Sequence, residues 1–283
     1  MPGSVERVRL QEYGVNIFAN CFTKSALKKA LKKKLIKVNG EVASTATFIS
    51  GGEKIELNIP FSPAEGPLIE IPLHLIYEDD YLAVVTKPPG FLTSGNKRRT
   101  LANALAYNLK PSELADVCIP QPVHRLDYET SGLVLVGKTQ GSIRQLNQLF
   151  SQRAVEKTYF AVTIGHMKES GLVDLPIHGK NARTSYEVIE SAPSEKFGRL
   201  NLVKVTPETG RYNQIRIHLK SINNPILGDK KYGIEGLTLK GKGLYLHATK
   251  LKFVHPFSGQ TVHVEGLLPK KFGRIFDKRK VQG

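Results

Sequence analysis

Two cysteines, Cys21 and Cys118, are all that the 283-residue chain offers for cross-linking, and they stand far apart outside any CxxC pair. That scarcity argues against a disulfide framework, a zinc ribbon or an iron–sulfur cluster, and it suits a reducing cytoplasm. No apolar run approaches the roughly 18–20 residues of a membrane span. The opening MPGSVERVRLQEYG also lacks a signal-peptide core, so a cytoplasmic protein with no membrane partner is expected. There is no GxxxxGK[ST] loop, no GxGxxG, no HExxH and no GxSxG, and the eight histidines are scattered rather than set at finger spacing with cysteine. Nucleotide hydrolysis, dinucleotide redox chemistry and zinc hydrolysis therefore have no sequence support, and no metal site is expected. Acidic residues are scarce too: 25 Asp and Glu against 41 Lys and Arg leave a net charge of +16. Without a membrane motif, the polyanion that such a surplus fits best is nucleic acid.

What is present suffices for a globular fold. Hydrophobic residues make up 40% and charged residues 23%, and the length suits one large domain with a small one. Seven lysines fall between Lys24 and Lys37 with no acid among them. Leu27, Leu31 and Leu35 recur every four residues, so this stretch reads as a helix with an apolar stripe and a lysine-covered outer face. Thr23 is its candidate N-cap. Lys24, Lys28, Lys29, Lys32 and Lys33 are candidate RNA contacts, the alternative being a merely solvated face. Asn39-Gly40 between short alternating runs predicts a hairpin, and Lys54–Ile59 a closing strand. Residues 60–72 carry four prolines and a glycine. The expected organisation is a small α/β domain at 1–60, a linker at 61–72 and a larger domain at 73–283.

Beyond the linker, strand-like runs at 81–85, 133–136, 157–164, 200–205, 243–251 and 261–264 come in series. Amphipathic stretches capped near Thr100 and marked by Ile143, Leu146 and Leu149 interrupt them. Strands in runs, rather than strict alternation with helices, predict an α+β fold with a mainly antiparallel mixed sheet flanked by helices.

Two segments concentrate polar groups. In Pro122–Leu133 (PVHRLDYETSGL), Asp127 sits directly ahead of a buried strand, a rigid base for a positioned carboxylate. An Asx-turn with Arg125 as its surface partner fits the same residues. Thr209–Leu219 (TGRYNQIRIHL) gives a stripe of Ile215, Leu219 and Ile222 with a basic remainder, then the turn-rich Asn224–Gly233. An RNA-facing helix and an ordinary surface helix both fit.

His124-Arg125-Leu126-Asp127 followed by Thr130-Ser131-Gly132-Leu133 and Lys138 resembles the signature of the pseudouridine synthases that modify large-subunit ribosomal RNA and some tRNAs. Glu78–Gly90, Lys157-Thr158-Tyr159, and Gly210–Leu219 with Pro225, Gly228-Asp229 and Tyr232-Gly233 extend the likeness, in family order, over about residues 70–265. Gly137 stands where alanine is usual and Asn213 where histidine is common. Residues 5–60 separately resemble a small RNA-binding domain of a ribosomal small-subunit protein that is appended to many of these synthases.

The resemblance implies a cofactor-free isomerisation in structured RNA: uracil is detached from its ribose, turned, and rejoined through carbon. It makes Asp127 the essential carboxylate, attacking the nucleoside or assisting glycosidic cleavage, with that choice open. Tyr159 would stack on the uracil or take the proton lost from its carbon, where otherwise it reads as a half-buried strand aromatic. Arg216 would pair with Asp127 and hold it ionised. Arg125, His124, Arg211 and Gln214 would line the RNA side, His124 having a structural hydrogen bond as its alternative. Lys87 is expected to tie the strand end. The expected RNA is 23S ribosomal RNA, then tRNA, and the expected state a monomer. A non-catalytic RNA-binding or ribosome-assembly protein is the other class of reading, and an aspartate-based nucleosidase the other enzyme.

Overall fold

The structure, a computed structural model, describes residues 7–14, 17, 24–58, 69–235, 237 and 241–276. Two compact units divide between Glu65 and Gly66. The cap expected at Thr23, Cys21 and most of the expected linker lie outside the described residues.

The smaller unit runs β1 (Val8–Arg9), α1 (Leu10–Tyr13), α2 (Lys24–Lys32), β2 (Ile36–Val38), β3 (Glu41–Val42), β4 (Phe48–Ile49) and β5 (Ile55–Leu57). β1 pairs with β4, while β2 is the centre of an antiparallel β3-β2-β5 sheet. Asn39 (φ 49°) and Gly40 (φ 87°) take the two left-handed positions that a tight two-residue hairpin needs. Leu27, Ala30 and Leu31 bury one face of α2 against Leu10, Ile36, Ala43 and Ile49. Each buried leucine there contributes about 1.5–3 kcal/mol. Lys24, Lys28, Lys29, Lys32 and Lys33 are exposed. The helix is shorter than its leucine stripe. Lys34 turns left-handed (φ 58°) and the Leu35 N–H bonds back to the Ala30 carbonyl at 3.0 Å, so Leu35 reaches the core from beyond the helix.

The larger unit follows as β6 (His74–Glu78), β7 (Leu82–Lys87), α3 (Leu101–Asn108), β8 (Val117–Pro122), β9 (Ser131–Thr139), α4 (Gln140–Ser151), β10 (Glu156–Ile164), β11 (Ser170–Asp174), β12 (Arg183–Ser194), β13 (Gly198–Pro207), α5 (Gln214–Ser221), β14 (Leu246–Val254), β15 (Thr261–Glu265) and α6 (Lys270–Phe276). The strands form one mixed sheet, β11-β12-β13-β10-β14-β9-β7-β6, with β15 also on β14 and β8 also on β9. Every pairing is antiparallel except β9 with β14, where Ser131 faces His247 and Gly132 faces Ala248. This is the α+β fold expected.

All nine residues of β9 are buried, as its continuous apolar run requires. Gly132 (φ 122°) is obligatory at the parallel seam, since a Cβ there would lie 2.2 Å from the Ala248 carbonyl oxygen. Thr100 caps α3 by accepting from the Asn103 N–H, as expected. Residues 69–72, part of the expected linker, belong to the large unit. The Asn108 side chain donates to the Ile71 carbonyl at 2.9 Å and accepts from the Leu73 N–H at 2.7 Å. Gly137 is explained by packing: a Cβ would stand 2.6 Å from Ile143 Cγ1. Among the described residues, no helix is long and apolar enough to cross a membrane.

Candidate active site

The loop between β8 and β9 carries the first cluster, and its shape is fixed by neighbours rather than by its own charges. Thr93 Oγ1 accepts from the Leu126 N–H (3.1 Å) and donates to the Leu126 carbonyl (3.0 Å). The Thr130 N–H bonds the Asp127 carbonyl at 3.1 Å, closing a turn just before β9. Asp127 thus uses its main chain for the turn and leaves its carboxylate free, unlike the Asx-turn alternative. Among the described residues, no ion pair of 4 Å or less reaches that carboxylate. It faces a cleft of about 520 Å³, within the range of ligand sites.

β10 and α5 bring the other residues to the same cleft. Tyr159, half-buried, sits where the β10–β14 register shifts between Thr158 and Tyr159; such a bulge re-aims a side chain. Apolar wall comes from Leu126, Phe150, Ile215 and Leu246, and basic rim from Arg125, Arg153, Lys157 and Arg211. Asp127, Tyr159, Arg216, Arg125, His124, Arg211 and Gln214 all line this one cleft, although they are spread over more than ninety positions of chain.

Arg216 corrects the expected pairing. It is 5% exposed, on a face read from the sequence as basic surface, and its partner is Asp229 rather than Asp127. Nε donates to Asp229 Oδ2 (2.8 Å) and Nη2 to Asp229 Oδ1 (2.7 Å), a bidentate pair. Nη2 also reaches Glu129 Oε2 at 3.0 Å, and Nη1 reaches Asn213 Oδ1 at 3.3 Å. Asn213 itself is left-handed (φ 54°) at the start of α5, a conformation that asparagine tolerates. Arg216 therefore acts on Asp127 through space.

The balance around Asp127 is also the reverse of that expected. Burial pushes its carboxyl above the usual carboxylate range, with Arg216, Arg125 and Lys87 opposing and Asp229 adding to the rise. Lys87 is fully buried, and its ammonium donates to the carbonyls of Phe91 (2.8 Å), Pro88 (3.0 Å) and Tyr128 (3.3 Å). That is the structural tie expected of it. Burial lowers its pKa to about 8 despite the neighbouring Asp127 charge. Burial, and secondarily Asp127, push the Tyr159 phenol upward, so it stays protonated in the free protein.

His124 makes the structural bond that was its alternative: Nε2 accepts from the Leu135 N–H at 3.0 Å while the ring stacks on Phe150 at 4.7 Å. Burial, then Lys157, lower its pKa to about 3, which keeps the ring neutral. Gln214 is saturated. Its oxygen accepts from the Thr209 hydroxyl (2.6 Å) and the Arg211 N–H (3.0 Å), and its nitrogen donates to the Arg183 carbonyl (2.9 Å) and the Thr184 hydroxyl (3.0 Å). These bonds fix it in the wall of the cleft. Arg125 is exposed, its guanidinium 5.8 Å from the Tyr212 ring centre, and Arg211 ties to the Asn181 carbonyl at 3.1 Å. Glu129, Asn213 and Asp229 were not assigned roles from sequence. The Gly228-Asp229 pair after α5 was the visible signal for Asp229. Among the described residues, no three His, Cys, Asp or Glu side chains gather as a metal site.

Residues 81–221 match the family model described as RNA pseudouridylate synthase. An RNA pseudouridine synthase of Aquifex aeolicus is 34% identical, with 96% of this chain and 93% of the relative covered. The ribosomal large subunit pseudouridine synthase C of Rickettsia felis is 35% identical over 93% of this chain and 94% of its own length. Among solved structures, human RNA pseudouridylate synthase domain containing 4 superposes with a TM-score of 0.58 at 25% identity, covering 71% of this chain and 90% of that one. A sequence shared with these enzymes along nearly its whole length places the chain in one family: it belongs to the RNA pseudouridine synthases, which are isomerases.

Proposed function

We propose that this enzyme converts uridine to pseudouridine in structured RNA, with 23S ribosomal RNA as first choice and tRNA as second. The names of relatives such as the Rickettsia felis enzyme support a ribosomal target, and so does the lysine face of α2. Asp127 is the catalytic carboxylate, by attack on the nucleoside or by assisting glycosidic cleavage. A carboxylate suits either role, since it stabilises or traps the electron-poor sugar left when the base departs. Tyr159 stacks on the uracil, and its protonated phenol favours that role over proton abstraction in the free enzyme. Arg216 supplies positive charge beside the reacting sugar. The uridine must first leave its stack at a cost of a few kcal/mol, which phosphate contacts on the basic rim offset. The enzyme works as a monomer in the cytoplasm, with residues 1–60 as an RNA-binding arm and no cofactor.

The observation that carries this reading is the half-buried Asp127 carboxylate, without an ion pair among the described residues, in a cleft shared with Tyr159 and Arg216. The test is to incubate the protein with uridine-labelled 23S RNA or tRNA and digest the product to nucleosides. Pseudouridine is expected. Free uracil would indicate a nucleosidase, and unchanged uridine a binding protein.

A further inference from the structure

Tyr212 is 56% exposed, yet it stands on a stretch of the cleft wall that is clamped from both sides. Its predecessor Arg211 is tied at three points: its N–H donates to Gln214 Oε1 (3.0 Å), its carbonyl accepts from the Gln214 N–H (3.1 Å), and its Nε donates to the Asn181 carbonyl (3.1 Å). Its successor Asn213 is 3% exposed. The Asn213 side chain donates to the Tyr232 hydroxyl at 3.2 Å and accepts from Arg216 Nη1 at 3.3 Å. Both neighbours are locked, and the ring between them stays in the open. A packed aromatic side chain buries about 150–250 Å², and this one leaves much of that gain unused.

The free charges beside the ring are of one sign. The Arg125 guanidinium carbon lies 5.8 Å from the ring centre and the Lys231 ammonium 5.5 Å. Both side chains are exposed, and neither forms an ion pair among the described residues. The acids around the cleft are paired elsewhere: Glu208 with Arg183 (3.3 Å), and Glu129 and Asp229 with Arg216 (3.0 and 2.7 Å). An exposed ring flanked by unpaired cations is the chemistry that stacks a nucleobase and takes the phosphates beside it. Tyr159, half-buried in the same cleft, is the ring for the target uracil, so a second ring on the rim meets a neighbouring nucleotide.

We propose that Tyr212 is the stacking site for a second nucleobase: an unpaired base adjacent to the target uridine lies on its ring, and Arg125 and Lys231 take the phosphates on either side. The inference rests on the reading of the cleft as the seat of an extruded uridine. It narrows the substrate class to uridines in loops, bulges or strand ends, because a base locked in a duplex has no free face to offer. The contact tolerates any base, since every base has a π-face.

The experiment measures the equilibrium affinity of the full-length wild type, Tyr212→Ala, Tyr212→Phe and Lys231→Gln for uridine-labelled 23S RNA, for tRNA and for a fully paired RNA duplex. Each is measured over a range of salt, with thermal melts as fold controls. On the RNA from which wild type makes pseudouridine, Tyr212→Ala should bind about 10-fold more weakly. Its slope of log affinity against log salt should stay in place, since stacking releases no counterions. Tyr212→Phe should recover most of the lost affinity. Lys231→Gln should show the other signature, a slope flattened by about 0.7–0.9. On the duplex, Tyr212→Ala and wild type should bind alike. Wild-type affinity of a folded Tyr212→Ala protein for the modified RNA, or an equal loss on the duplex, would overturn the proposal. A flattened slope for Tyr212→Ala would also overturn it, by reducing the ring to a rest for Arg125 and Lys231. Where Tyr212→Ala fails to fold, Tyr212→Leu, which keeps apolar bulk without a ring, decides it by the same criteria. Wild type that forms pseudouridine from neither RNA would instead remove the reading beneath the proposal.

Discussion

The Lys87 ammonium lies sealed beside Asp127 and gives it no hydrogen bond: all three of its bonds go to the carbonyls of Pro88, Phe91 and Tyr128. It lends the neighbouring carboxylate positive charge at a distance while bracing the loop that carries it. Arg216, held by Asp229 and Glu129, does the same from the other side. Asp127 therefore lies near several cations without an ion pair to any of them among the described residues, and burial outweighs them in setting its pKa. A carboxylate partly desolvated in this way is a cost to the fold and an asset to the chemistry.

That cost is measurable. Because the folded state raises the Asp127 pKa, its contribution favours folding most below the ordinary carboxylate pKa and declines as pH rises through the raised value. Asp127→Asn removes this partly desolvated charge, so its Tm should exceed that of wild type at pH 8. The difference should shrink as pH falls toward 4. Calorimetry of both proteins across that range checks it, and a lower Tm for the Asn protein at pH 8 would count against the assignment.

Arg216→Lys keeps the charge but cannot reproduce a bidentate contact to Asp229 plus bonds to Glu129 and Asn213. Turnover should fall at least ~10-fold, and the imperfectly paired Asp229 should cost about 1–3 kcal/mol of stability. Single-turnover rates and denaturant melts measure the two effects separately.

The exposed lysines of α2 are open to a charge-counting test. Lys24 already pairs with Glu12, whereas Lys28, Lys29, Lys32 and Lys33 form no ion pair among the described residues. Changing those four to Gln should weaken binding to long RNA and flatten log affinity against log salt by about 0.7–0.9 for each phosphate no longer neutralised. Lys24→Gln should change the slope least. Equal slopes for wild type and the fourfold variant would reduce the lysines to a solvated face.

Much of the fold was legible because periodicity reports burial directly. The buried β9, the Asn39-Gly40 hairpin and the capped α3 each announced themselves within a few residues. The β11–β12 pair did not, since β12 alternates polar and partly exposed residues and breaks register between Val188 and Glu190. The place of Asp127 directly ahead of a buried strand was legible, and the cleft beside it was not. The partner of Arg216 was not, because a thirteen-residue separation across a loop carries no local signal. A helical stripe that places arginine on the polar side cannot reveal that an aspartate is folded over it. The four hydrogen bonds that hold Gln214 in the cleft wall were hidden for a related reason, since two of the partners, Arg183 and Thr184, lie far away in the chain.

The most direct test of the account is the single-turnover yield of pseudouridine from uridine-labelled RNA with Asp127→Asn, measured beside wild type at saturating protein and at pH 8. The substitution is nearly isosteric and removes only the charge. The account predicts that the variant still binds the RNA with wild-type affinity and forms no pseudouridine. Pseudouridine accumulating at a rate near that of wild type would contradict it.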